Sequence, residues 1–88
     1  MGKLAVPVVI LLDDASGAIP SEFLSATVAN RHATSALTIT FAAVGNQPAT
    51  SFELLAGEQF IFESIGVPYE AVTVDASDSQ ATIVYTKV

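Results

Sequence analysis

Eighty-eight residues with no cysteine and a single histidine make one domain without disulfides and without a thiolate or histidine-rich metal site to staple it. The formal charge of −6, with Lys3, Arg31 and Lys87 as the three strong bases, argues against nucleic acid, whose phosphates must be neutralised, and against anionic membrane surfaces. Apolar residues are 51% of the chain and charged ones 14%, against a typical ~25% charged. A chain this short buries only ~60–65% of its unfolded surface, so further burial is expected from other chains.

Residues 6–12, Val-Pro-Val-Val-Ile-Leu-Leu, are rich in β-branched side chains and read as a strand. Pro7 suits an edge or first strand position, having no N–H to give to a ladder. The apolar run from Leu4, after Lys3, imitates a secretion signal. Pro7 interrupts it and Asp13 and Asp14 follow directly, so a buried or partner-docked strand is the expectation, and the run is too short to span a bilayer. Residues 13–18 read as a turn or loop, residues 23–29 as the next strand, and residues 30–35 as a polar connection. Leu37-Thr38-Ile39-Thr40-Phe41 alternates strictly, which puts Leu37, Ile39 and Phe41 on one face.

Residues 44–48 form a loop by their Gly, Asn and Pro content. Residues 52–63 read as two alternating runs joined at Ala56-Gly57 in a tight hairpin. Phe52 and Leu54 then pair with Phe60 and Phe62, and Glu53 and Glu63 share the opposite face. Ile65-Gly66-Val67-Pro68 breaks the chain again. Residues 71–75 read as a strand with Val72 and Val74 facing one way, residues 76–79 as a turn, and residues 81–87 as the closing strand. On that strand Ile83 and Tyr85 stand opposite Val84 and Thr86, with Tyr85 half in the core and its hydroxyl toward solvent. About seven short strands at this spacing predict an all-β fold, a small antiparallel β-sandwich or barrel. Residues 1–88 form a single domain, with residues 1–12 as a docking or oligomerisation strand.

The residue chemistry speaks against catalysis. His32 lies beside Arg31 with no local carboxylate, no second histidine and no cysteine nucleophile, which favours a loop or interface hydrogen bond over a general base or pH switch. There is no Gly-x-Ser-x-Gly elbow, and the scattered glycines make no phosphate cradle. Glu53 and Glu63 would need an enclosing cleft to act as a glycosidase pair. Asp13-Asp14 and the Asp75/Asp78 pair fall short of the six to eight oxygens that calcium takes. No catalytic residue, metal or cofactor is expected. The candidate interface residues are Leu4, Val6, Val8, Ile10 and Leu12 on the first strand, Arg31 and His32 in the polar connection, and Tyr69 as an aromatic anchor.

Over residues 27–84 the chain resembles the small β-sandwich virion proteins of tailed bacteriophages, in particular capsid decoration (cement) proteins. The resemblance is carried by the polar turn at residues 30–35, then Leu37-Thr38-Ile39-Thr40-Phe41. It continues through Leu55-Ala56-Gly57-Glu58-Gln59-Phe60-Ile61-Phe62 and Ile65-Gly66-Val67-Pro68. Ala71-Val72-Thr73-Val74 and the closing Thr82-Ile83-Val84-Tyr85 complete it. What it implies is a non-enzymatic structural protein on the outer surface of the capsid, assembled in the host cytoplasm. Such a protein clamps neighbouring subunits of the major capsid protein, or another virion protein, as a homo-oligomer with a trimer favoured. Of the extended arm found in one version of that family, only residues 1–7 have the position. The same features allow a tail, neck or fibre accessory protein, or a small module binding carbohydrate or a host surface.

Overall fold

Six antiparallel strands build the described chain: β1 (Val6–Ile19), β2 (Phe23–Asn30), β3 (Leu37–Phe41), β4 (Thr50–Leu54), β5 (Gln59–Glu63) and β6 (Val72–Lys87). The structure is a computed structural model and describes residues 6–43, 45–63 and 70–87. The expected all-β class takes the form of one antiparallel sheet curled into a half-barrel. The strands pair in the order β4-β3-β6-β2-β5, with β1 also pairing with β6.

β6 is the axis. Along one side it carries β1, from Val6 opposite Lys87 to Ile19 opposite Val72. Its other side is shared, with β3 on residues 72–75 and β2 on the half that ends at Lys87. The sheet therefore has two arms, β4-β3 on the first half of β6 and β5-β2 on the second, joined by a long β1–β6 ribbon.

Two expected turns are not turns. Residues 13–18 extend β1, and residues 76–79 join the two expected last strands into β6, which is why the described residues form six strands where the sequence suggests about seven. The ribbon bends there without ending. Its register jumps from Asp13 opposite Gln80 to Ala15 opposite Ala76, and Asp14 and Asp78 take left-handed backbone angles, φ 51° and 58°. A bulge adds residues to a strand and sharpens its twist. It also shifts the phase of the alternation. On β6 the buried positions change from Val72, Val74 and Ala76 to Ser79, Ala81, Ile83 and Tyr85. Read along the sequence, that slip looks like a break between two strands. In the sheet it is a corner that keeps apolar residues inside on both arms.

The core lies between the arms. Ile19, Val28, Ile39, Val74, Ala76, Ala81 and Ile83 are fully buried, each large aliphatic among them contributing about 1.5–3 kcal/mol of burial. Tyr85, expected half in the core, is 7% exposed. Aromatic rings cross from arm to arm. Phe41 of β3 meets Phe62 of β5 at 5.4 Å, and Phe52 of β4 meets Phe60 of β5 at 4.9 Å, both tilted.

The turn at Ala56-Gly57 is present, but it closes no hairpin. Glu58 N–H donates to Leu55 O at 3.0 Å, and Gly57 has φ 81°, the positive angle that the third position of a type II turn requires. The strands it joins then part: β4 pairs with β3 and β5 with β2. The turn is an arch between the two arms. Glu53 consequently stands opposite Thr38, and Glu63 opposite Ser25, so the two carboxylates do not share a hairpin face. Long-range pairing overrides the local hairpin signal: Phe52 and Phe60 still meet, as rings 4.9 Å apart across the arms and not as cross-strand neighbours.

Candidate functional site

The outward faces of the two arms differ in chemistry, and the cross-strand registers show how. On the β4-β3 arm, one row runs Glu53, Thr38, Asp75, Ser16 and the next Ser51, Thr40, Thr73, Ala18. This face is hydroxylic and acidic, and its polar groups bond laterally, Thr40 Oγ1 with Ser51 Oγ at 2.9 Å and Ser16 Oγ to Asp75 Oδ1 at 3.0 Å.

On the β5-β2 arm the central outward row is Val9, Val84, Thr27, Ile61. It is flanked by Leu11, Thr82, Ala29, Gln59 on one side and Pro7, Thr86, Ser25, Glu63 on the other. Across four strands the only charged residue in these rows is Glu63, at one corner. Of the five exposed large hydrophobics among the described residues, four lie here: Val9 at 60%, Leu11 at 67%, Ile61 at 54% and Val84 at 39% exposed. Leu55 in the arch is the fifth. A contiguous apolar patch, unlike single exposed apolar residues, marks an interaction surface.

The described candidate residues of the first strand all lie on its inward side. Val8 and Ile10 are half-buried and pack against the core, and Leu12 is buried within it at 7% exposed. The outward apolar side chains of β1 are instead Val9 and Leu11, which the sequence reading did not single out. A signal for them was present. A strand covered on one face alternates apolar with polar residues, whereas residues 8–12 are apolar without interruption, the pattern of a strand covered on both faces. Leu4, Tyr69, the breaker at residues 65–68 and the side chain of Val6 lie outside what is described.

Arg31 and His32 sit at the opposite end of β2, in a connection organised by Asn30. The Asn30 side chain is 2% exposed. Its Nδ2 donates to the carbonyls of Ser35 and Leu54, both at 2.9 Å. Its Oδ1 accepts from the His32 amide at 2.9 Å and the Ser79 hydroxyl at 3.3 Å. Its own backbone bonds the arch, accepting from Gly57 N–H at 3.1 Å and donating to Glu58 O at 2.9 Å. His32 is partly buried and turns inward on its own loop, where Nδ1 accepts the amides of Thr34 at 3.1 Å and Ser35 at 2.9 Å. The imidazole is thus a loop clasp, its Nδ1 lone pair committed to backbone. Arg31 is exposed, and its backbone N–H is held by Gln80 O at 3.0 Å.

The carboxylates weighed for calcium meet at the ribbon corner, where Asp14 Oδ1 accepts the Asp78 amide at 2.8 Å. Asp75 Oδ1 accepts the Ser77 hydroxyl at 2.6 Å, the Ser77 amide at 3.0 Å and the Ser16 hydroxyl at 3.0 Å. These three bonds hold its carboxyl below the usual aspartate value. Among the described residues no three His, Asp or Glu side chains are gathered to hold a metal ion. Comparison with protein families, curated proteins and solved structures finds no match to this chain.

Proposed function

We propose that this protein is a non-enzymatic assembly protein that docks onto a larger protein surface through the outward face of β1, β6, β2 and β5, and that this surface is the outer shell of a virion. In that reading it is a capsid decoration protein, and its partner is the major capsid protein or another virion protein. The single observation that carries the docking is the uncharged apolar row of Val9, Val84, Thr27 and Ile61 with Leu11 beside it, on one arm only. The virion setting is supported by the resemblance of residues 27–84 described above.

The physics of such a role is simple. Apolar area covered on docking contributes ~25 cal/mol per Å². A protein that binds the assembled shell and not its loose subunits stabilises the shell by mass action. The acidic surface elsewhere, at a net −6, keeps unbound copies soluble.

The test is addition of the purified chain to capsids stripped of it, reading the temperature of shell rupture. Wild type raises it, and Ile61→Lys or Val84→Lys abolishes the rise while leaving the fold intact. A chain that binds tails and not capsids by the same face is a tail component. A chain whose variants bind as well as wild type does not dock through this face.

A further inference from the structure

We propose that the open edge of β1 pairs with the same edge of a second copy of this chain, antiparallel over residues 8–12, about a twofold axis at Ile10. This rests on reading β1 as an interface strand, but the contact is its backbone edge rather than the outward face. Among the described residues β1 pairs with β6 alone, so its far side presents a row of backbone donors and acceptors.

Edge strands are normally blunted by lysine, proline, charge or bulges. Over its first half β1 carries such devices only on either side of one segment, Pro7 before it and the Asp13 charge and Asp14 bulge after it. Between Pro7 and Asp13 lie Val8, Val9, Ile10, Leu11 and Leu12, without a charge. The unprotected stretch is therefore short and bounded at both ends.

Its composition selects one register. Directly opposed residues share a face, so the two outward faces stay together only when the paired residue numbers have an even sum. Centring on Val9 draws Pro7, which has no N–H, into the ladder. Centring on Leu11 draws in Asp13 opposite Val9. Centring on Ile10 avoids both: Val9 of one copy faces Leu11 of the other outside, and Val8 faces Leu12 on the core side. The two Asp13 carboxylates then stand six residues apart along the ladder, roughly 20 Å at ~3.4 Å per residue, beyond the ~8 Å over which charges act at physiological salt. Two chains of net −6 can approach along this segment with least repulsion.

Four strands ~4.8 Å apart and five residues long give the outward face of one copy a footprint of roughly 300 Å², short of the ~800 Å² per partner of a stable interface. Edge pairing supplies backbone hydrogen bonds and joins two such faces into one surface of roughly 600 Å². It makes a dimer, in place of the trimer that the sequence resemblance implies.

The experiment uses the isolated full chain, so its result does not depend on docking to any particle. Light scattering over rising concentration is expected to reach twice the mass of one chain. Leu11→Lys weakens association roughly tenfold, since each dimer loses two apolar cross-strand pairs, while Ile61→Lys on β5 leaves it unchanged. The chain has no cysteine, so a mixture of Val9→Cys and Leu11→Cys chains is expected to oxidise to a cross-linked pair faster than either alone, because like positions sit diagonally and too far apart to bridge. The mass of a single chain at all concentrations, a mass of three chains, equal loss with Ile61→Lys, or equal cross-linking by Val9→Cys alone overturns the proposal.

Discussion

The Asp14 carboxylate accepts the backbone N–H of Asp78 at 2.8 Å from across the β1–β6 ribbon, and both residues hold positive φ, 51° and 58°. This pair makes the corner at which one continuous ribbon passes from the β4-β3 arm to the β5-β2 arm. Aspartate suits the position because it tolerates the left-handed region better than most residues and offers an acceptor that an extra strand residue would otherwise lack.

Asp14→Ala retains the left-handed backbone and loses the acceptor, and is expected to destabilise the fold by about 1–2 kcal/mol. Asp14→Asn keeps an oxygen in place, and Asp14→Gly removes the backbone strain, so both should fall between alanine and wild type. Urea unfolding midpoints give the ranking. A midpoint for alanine equal to wild type removes the corner role assigned to this side chain.

Asn30 uses all four hydrogen-bonding positions of its amide in a buried site. Asn30→Leu strands the carbonyl of Leu54 and the amide of His32, each costing about 1–3 kcal/mol when buried without a partner. Asn30→Asp points a second acceptor at two carbonyls and should be at least as damaging at neutral pH. Thermal unfolding separates these variants from Arg31→Ala, an exposed neighbour expected to stay within about 0.5 kcal/mol of wild type.

The Asp75 carboxyl is held below its usual value first by the Ser77 hydroxyl, then by the Ser77 amide, then by the Ser16 hydroxyl. Its folded value therefore lies under the unfolded one of ~3.9. The stabilisation is complete above the unfolded value and is lost as pH falls through the folded one. In a carboxyl NMR titration Ser77→Ala should raise the Asp75 midpoint more than Ser16→Ala does. The reverse order would show that the Ser77 hydroxyl is not the main cause.

Leu11→Lys and Ile61→Lys replace exposed side chains and should change folding stability by no more than about 0.5 kcal/mol. Ile83→Ala, on the inward side of β6 and fully buried, should cost about 2–5 kcal/mol. Chemical denaturation of the three variants checks the assignment of the two sides of the sheet. A large loss with Ile61→Lys would mean that the outward face is structural.

Much of the strand content was legible because period-two alternation is a local property. Leu37 and Ile39, Val72 and Val74, Ile83 and Tyr85 all face the core, as their spacing predicts. Where the alternation slipped, at residues 13–18 and 76–79, the slip read as a turn. It is a bulge, because a partner strand with a matching irregularity absorbs it. Asn30 read as a loop residue for the same reason. Its burial depends on Leu54, Gly57, Glu58 and Ser79, none of them near it in the chain.

Alternation, turn chemistry and the shortage of charge, all readable along the chain, determined that this protein is built of strands and which side of most strands is apolar. Strand neighbours were decided only in three dimensions, since pairing is a contest among distant segments for burial. That contest sends β4 and β5 to opposite arms despite the turn between them. It also sets Val9, Val84, Thr27 and Ile61 side by side, from four segments that share no local signal.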